Sequence, residues 1–554
     1  MRPTIKQTAK RLATAMGLRP MSTKQREQWA DAEAFAERIS PVLSATPSAK
    51  REAGTAVIVA LHAHLPTAKT EGVLCKALQA QGMRIRLLVP TEDTPARHVY
   101  EAFGLGDRLD WKSFIDPARR DEHEEAVDHF LSQHPAFEEM LGYDYRGSVL
   151  GEHALSLVVR QAHAGRIDLE QGETRDRFRD ALVDGMLATD AAHKLYDNTD
   201  PALVLFCERG YTPFGDLFDV ALSRGLNTVQ WLGSHIDHAL HFKRYTWETR
   251  TAHPISLAAP TWDSVRAMDL PEDDVFLDDF RTKYETGDYN RRHNLQAGKR
   301  IVERDALVQQ LGLDPDKKTA VIFSHILWDA TFFYGKGLFP DYAQWLVESV
   351  RSACANDQVN WLVKLHPVNV WRLALDGYEG ELAEHVLLRD ALGALPAHVQ
   401  MIEPDAPVNT ASLWGVADYA LTVRGTVGME LPMFGTTVLT AGTGRYAGLG
   451  FTVDSDTKEQ YLDRIASIQD VPAMTEAQVA LARRHAQGIF GLRPLVFSSF
   501  TLSYPHGEVP THLHPQLEVN AADVEAFVSG ADLQRFSRWA VECTEPDLLG
   551  GLEV

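Results

Sequence analysis

In the stretch TVRGTVGMELPMFGTTVLTAGTGRYAGLG, residues 422–450, a cation, a carboxylate and a series of glycines surround two short apolar segments. If DYALTV (418–423) is a strand, Arg424, Gly425 and Thr426 lie just past its carboxyl end, and TVGMELPMFG supplies a short helix beginning there. Unpaired N–H groups at a helix start carry partial positive charge, so a phosphate or carboxylate can sit on them. On that reading Gly425 and Gly428 let a ligand approach the backbone, Arg424 pairs with an anion, and Glu430 accepts from ribose hydroxyls. The loop AGTGRYAGLG, after the next strand, brings Arg445 and Tyr446 to the same sheet edge. The same spacing also reads as tight turns, with Glu430 complementing the helix dipole.

LVKLHP (362–367) reads as a buried strand ending in Lys364, His366 and Pro367. Alternation puts Lys364 and His366 on one side. A histidine there either donates to a leaving phosphate or is an ordinary structural residue. The strand end IFSH delivers Ser324 and His325 to the same rim. HIDHALH (235–241) holds His235, Asp237, His238 and His241, and helical spacing would bring His238 and His241 together. It matches no common metal-ligand spacing, so a polar rim is expected and no metal. A group that deprotonates an acceptor hydroxyl must face the donor from the other half of the chain. Glu71 in PTAKTEG and Asp216 in GYTPFGD fall at strand-to-helix loops, Glu208 is a further option, and Asp329 in HILWDATFFYG lies on the opposing rim. Each also reads as a cap or a solvated carboxylate.

Positioning these groups requires strand ends gathered at one edge. Residues 54–90 read as strand, loop, helix, strand, a βαβ unit. Residues 107–200 are charged and helical in period, an insertion. Strands return at 202–210 and 228–233 around a helix, the acidic run PEDDVFLDDF reads as surface, and NLQAGKRIVERDALVQQLGL (294–313) reads as a connecting helix. A second series of strands follows at 319–325, 360–367, 399–404, 418–423 and 436–442. Apolar strands spaced by helices specify parallel sheets covered on both faces. The expected fold is α/β, two Rossmann-like domains facing a cleft: a basic extension (1–53), an acceptor domain (54–290), a nucleotide-binding domain (291–490) and a helical extension (491–554) that packs back on the first domain. Clefts at the carboxyl ends of parallel strands are where ligands bind.

The formal net charge of -21 argues against a nucleic-acid partner, which calls for a local Lys/Arg excess. Cys75, Cys207, Cys354 and Cys543 are scattered, with no C-x-x-C spacing, which suits a reducing cytoplasm. Residues 1–26 hold Arg2, Lys6, Lys10, Arg11, Arg19, Lys24 and Arg26 and no acid. With Ile5, Ala9, Leu12 and Met16 at helical spacing, this segment suits either a weak tether to the anionic inner face of a membrane or a solvated basic tail.

VKLHP, TVRGTVGMELPMFGTTVLTAGTGRYAGLGFT and, more weakly, SHILWDATFFYG resemble the bacterial capsule-polysaccharide synthesis proteins, the group containing the Kdo transferases that build capsule linkers. The likeness covers about residues 318–460. It implies a metal-independent GT-B glycosyltransferase needing no cofactor beyond its nucleotide-sugar donor, with CMP-Kdo or another CMP-linked acidic sugar favoured and UDP-linked donors left open. The acceptor would be a glycan or lipid-linked glycan. By the family's pattern His366 touches the donor phosphate, with Gly425, Thr426, Gly428 and Glu430 around the nucleotide. The family often has Ser or Gln where Arg424 stands. A sugar-nucleotide epimerase of the same build, or a non-catalytic glycan- or nucleotide-binding scaffold, are the alternatives.

Overall fold

The run GTAVIV forms strand β1 (Gly54–Val59), followed by β2 (Met83–Val89), β3 (Arg108–Asp110), β4 (Leu203–Phe206), β5 (Thr228–Gly233) and β6 (Ala239–Tyr245). The computed structural model describes residues 21–551 except 50, 167, 170–171, 270–272, 291–294, 297, 370–376, 379 and 504–515. Strands β3-β2-β1-β4-β5 run parallel in that order. β6 then pairs antiparallel with β5, and a returning strand, Leu495–Val496, pairs antiparallel with β6. Both faces of this sheet are covered: Ala56 and Ile58 enter one core, Val57 and Val59 the other. A strand buried on both sides carries no polar alternation.

The second sheet holds β7 (Thr319–Phe323), β8 (Asn360–Lys364), β9 (Val399–Ile402), β10 (Tyr419–Thr422), β11 (Thr437–Thr440) and β12 (Val453–Asp454). All pairings are parallel, in the order β9-β8-β7-β10-β11-β12. Val321 and Leu362 face one core; Ile322, Trp361 and Val363 face the other. In each sheet the first strand lies beside the fourth. Connections leave toward opposite faces there, so a crevice opens at the carboxyl ends between β1 and β4 and between β7 and β10. The molecule is therefore α/β, two Rossmann-like domains of GT-B architecture.

Three local expectations are corrected. The stretch read as wholly helical begins with β3 at the sheet edge, before helices at Arg120–Ser132, Leu150–Ala162 and Gly172–Thr199. These pack against Trp328 and Phe332, which reach over from the loop after β7. The connecting helix is short, Arg304–Gln310, because Arg300 is drawn into backbone pairing: its N–H donates to Pro407 O (2.9 Å) and its carbonyl accepts from Asn409 N–H (2.8 Å). HIDHALH is not helical. His238 adopts φ 48 in a turn and His241 lies within β6, so period-3.6 neighbours do not arise.

After the second sheet the chain returns to the first domain. Helix Ala531–Glu542 puts Leu533 and Phe536 into the core that holds Leu74 and Leu78. Arg493, fully buried, ties the crossing by donating to the carbonyls of Pro254, Ser256 and Phe242. Residues 1–20 of the proposed tether lie outside the described residues, and among those described no helix is long and apolar enough to cross a membrane.

Candidate functional site

The two crevices face each other. At the second sheet a cavity of about 250 Å³ is lined by the ends of β7 (Ser324, His325), β8 (Lys364, His366, Pro367) and β10 (Arg424, Gly425, Thr426), with Arg445 from the loop after β11. It opens into a cleft of about 820 Å³ whose opposite wall comes from the first domain, including His62 after β1 and Cys207 and Glu208 after β4. His366, Thr426 and Arg445 border both spaces.

The chemistry of the cavity differs from a ledge of main-chain amides. His325 stacks on Tyr342 (4.4 Å between ring centres), and its Nε2 accepts the N–H of Val423 (3.1 Å). Thr422 Oγ1 accepts the N–H of Gly425 (3.0 Å). Arg424 N–H also points to His325 Nε2 (3.5 Å), so the amides of Arg424 and Gly425, expected to greet an anion, already have partners. Burial, then the charges of Arg424, His366 and Arg445, holds His325 well below the usual imidazole range, so it is neutral and structural. Ser324 is likewise an organiser: its Oγ accepts the His366 N–H (3.0 Å). His366 Nδ1 accepts from Val368 N–H (3.2 Å), which places the ring proton on Nε2, the donor end a departing phosphate needs. Lys364 is buried and gives protons to the carbonyls of Leu365 (3.1 Å) and Glu403 (3.2 Å); burial brings its pKa down to about 7.

Positive charge instead comes from two arginines. Arg445 donates from Nε to Ile255 O and from Nη1 to Arg424 O, both 3.2 Å. Arg424 is 5% exposed, and its Nε and Nη1 are enclosed with no hydrogen-bond partner among the described residues.

Gly428, Glu430 and Tyr446 lie behind the cavity wall. A Cβ on Gly428 would sit 2.0 Å from Tyr446 Oη, so this glycine admits the Tyr446 ring, whose hydroxyl donates to Gly425 O (2.8 Å). Gly425 is also tight: its Cβ would meet Thr422 Oγ1 at 2.9 Å. Glu430 is fully buried, its two oxygens accepting from Tyr289 (2.8 Å) and Tyr284 (3.2 Å), and burial raises its pKa. Tyr284 lines the cavity and Tyr289 the cleft, so Glu430 holds wall residues in place while its own carboxylate is turned away.

The four carboxylates part company. Glu208 and Asp329 reach the cleft wall. Asp329 Oδ1 accepts from Arg160 Nη1 (3.1 Å) and Tyr211 Oη (2.9 Å), both from the first domain, so it straps the two domains together. Asp216 is buried beside Ser148, which donates to its Oδ1 (3.0 Å), and near His153; burial pushes its pKa up to about 6, and it lines neither space. Glu71 is not in a loop but inside helix Leu65–Ala80, fully buried, where Tyr100 Oη and His62 Nε2 (3.2 Å) donate to Oε2 and Trp231 Nε1 (3.4 Å) to Oε1.

This last group contains a residue the sequence reading missed. His62 stands on the cleft wall, and its bond to Glu71 fixes the tautomer with Nδ1 as the acceptor; Nδ1 has no hydrogen-bond partner among the described residues. The signal was available, since LHAH closes the first strand of a βαβ unit as LVKLHP closes one in the second sheet. His62, Glu71 and Cys207 offer ligand atoms within 4.8 Å of one another. Glu71, however, already accepts from three donors, the pattern of a carboxylate that orients a histidine.

Fold and site define a two-domain α/β protein with a cationic, largely acid-free pocket on one domain and a histidine–carboxylate pair on the other. No known family model matches the sequence, and no curated protein does. Among solved structures, a β-Kdo 2,4 transferase, KpsC of Thermosulfurimonas dismutans, is similar over 57% of this chain and 84% of its own, at 15% identity and a TM-score of 0.31. UDP-GlcNAc 2-epimerase from Neisseria meningitidis bound to UDP-GlcNAc aligns over 79% and 96%, at 11% identity and 0.27. The glycosyltransferase SnogD from Streptomyces nogalater aligns over 80% and 96%, at 14% identity and 0.23. These are likenesses of fold, and the functional reading rests on this chain's own side chains.

Proposed function

We propose that this protein is a glycosyltransferase that moves a sugar from a nucleotide-sugar donor to a hydroxyl of a glycan or glycolipid acceptor. The observation that carries it is the opposition of the two crevices, His366 and Arg445 on one side and His62 with Glu208 on the other. The nucleotide occupies the second domain's cavity with its phosphate where cavity and cleft meet. As the bond between anomeric carbon and phosphate oxygen breaks, the electron pair leaves with the phosphate, and His366 Nε2–H and the Arg445 guanidinium stabilise it. The acceptor oxygen bonds the anomeric carbon and its proton passes to a first-domain wall group, His62 steered by Glu71 or Glu208. The resemblance to capsule proteins favours CMP-Kdo or another CMP-linked acidic sugar as donor and surface-polysaccharide assembly as the setting. On this reading the basic residues 1–26 tether the enzyme weakly to the inner membrane surface, where a lipid-linked acceptor would lie.

Thermal unfolding with CMP, CDP, UDP and GDP tests the reading, because a ligand bound only by the native state raises apparent stability. One nucleotide is expected to raise the Tm, with at least about tenfold weaker binding in His366→Ala, the range for a lost hydrogen bond to a charged group. No shift with any nucleotide at millimolar concentration would overturn it. Release of an epimerised sugar from the donor without acceptor would indicate the epimerase.

A further inference from the structure

We infer that Arg424 receives a second anionic group of the donor, separate from the phosphate at the reacting centre. The inference rests on the nucleotide-sugar reading and assigns Arg424 to the donor's second anionic group: the carboxylate of a sugar acid joined to a nucleoside monophosphate, or the second phosphate of a nucleoside diphosphate sugar.

Arg424 borders the inner cavity but not the cleft, whereas His366 and Arg445 border both. The bond that breaks must face the acceptor, so the reacting phosphate belongs at the shared rim. Arg424 lies deeper and is left over. Its burial is nearly complete, with Nε and Nη1 enclosed and unpartnered among the described residues. The surroundings are shaped to admit the guanidinium: a Cβ on Gly442 would come within 3.1 Å of Nη2, and the Tyr342 ring lies 5.7 Å from the guanidinium carbon. Among the described residues no carboxylate forms an ion pair with it. Asp329, the one acid on the cavity wall among the described residues, is held by Arg160 and Tyr211. His325 is neutral and uses Nε2 on backbone amides. Burying a cation without a counter-ion is costly in desolvation, and the structural Arg493 has one in Asp547 (3.3 Å) besides three carbonyls. Arg424 is therefore a binding group whose counter-ion arrives with the ligand.

Isothermal titration of the full chain and its Arg424→Gln variant tests this with four probes: CMP, UDP, CMP-N-acetylneuraminate and UDP-glucose. Among the probes that bind, those with two anionic groups should lose at least about tenfold in affinity in the variant, while CMP, with one phosphate, changes less than about threefold. A loss confined to CMP-N-acetylneuraminate makes the second anion a carboxylate; a loss confined to UDP and UDP-glucose makes it a phosphate. Equal losses for CMP and the two-anion ligands, or no loss at all, overturn the inference. The ligand-free variant should melt no lower than the native protein, since an uncompensated charge has been removed; a clear drop would mark Arg424 as structural and also overturn it. If the native protein binds none of the four, and CDP and GDP leave its Tm unchanged, the nucleotide reading falls. Thermal shift with inorganic pyrophosphate and free gluconate then decides the anion site alone: an Arg424-dependent shift retains it, and none removes it.

Discussion

At the scale of single residues, buried polar groups separate organisers from actors by whether their hydrogen bonds are complete. Glu430, Glu71 and Ser324 spend their bonds inside the protein; Arg424 and His62 keep nitrogens without a hydrogen-bond partner among the described residues, and His366 borders both cavity and cleft. Gly428→Ala puts a methyl 2.0 Å from Tyr446 Oη, which must displace the ring and its bond to Gly425 O. The expected cost is about 1–3 kcal/mol, as for overpacking elsewhere, read as a fall in denaturant midpoint at constant slope. An unchanged midpoint would mean Tyr446 does not clamp the turn. Lys364 yields a second prediction. With its pKa at about 7, an anion settling in the cavity raises the proton affinity of the amine, so donor binding near pH 7.5 takes up protons. Titrations in buffers of different ionisation enthalpy measure that uptake, and binding without it would place the anion away from Lys364.

At the scale of elements, the loop after β7 does more than close a turn. It carries Trp328 and Phe332 into the helical insertion and Asp329 to Arg160 and Tyr211. Beside it Gly210, at φ 93, lies so close to the Phe333 ring that a Cβ would come within 2.4 Å. The insertion thus holds the two domains at a fixed opening and sets the cleft between them. Arg160→Ala and Asp329→Ala should be coupled in stability by at least about 0.5 kcal/mol in a double-mutant cycle, and each should raise the donor KM more than it lowers kcat. Additive effects would show that the strap is not formed in solution.

At the scale of the molecule, four histidines are buried with their neutral form favoured. Burial, foremost, takes His235 and His485 down to about 3 and holds His253 and His325 well below the usual 6.5. Each folded-state value lies under the unfolded one, so this stability is complete above about pH 6.5 and is lost as the pH falls toward 3, where the unfolded chain binds the extra protons. Asp216, raised from 3.8 to about 6, works in the opposite direction: its contribution is present below about 3.8 and lost as the pH rises through 6. Glu430 and His153, also raised, act in the same direction as Asp216, while Asp219 and Asp547, held low, join the four histidines; the depressed groups outweigh the raised ones, so Tm should fall from pH 7 to pH 4. A flat profile would show that these imidazoles have access to water.

Much of the framework was written in local pattern. Unbroken apolar runs with no polar alternation announced strands covered on both faces, and the histidines ending LHAH, IFSH and LVKLHP lie where such strands deliver side chains to a common edge. Hydrophobic period acts over a few residues, so a single chain displays it. What a strand end touches is set by partners far away in sequence. Only the folded chain shows that His325 reaches the amides of residues 423 and 424 and turns the expected amide ledge into an arginine site. The same distance hid the corrections. HIDHALH has a helix-compatible spacing, but pairing with β5 draws its end into a strand, and Glu71 looks like any loop carboxylate until Tyr100 and Trp231 close around it. Period and composition determined the layers of this protein; desolvation, which depends on every neighbour at once, decided which of its charged groups are left to meet a ligand.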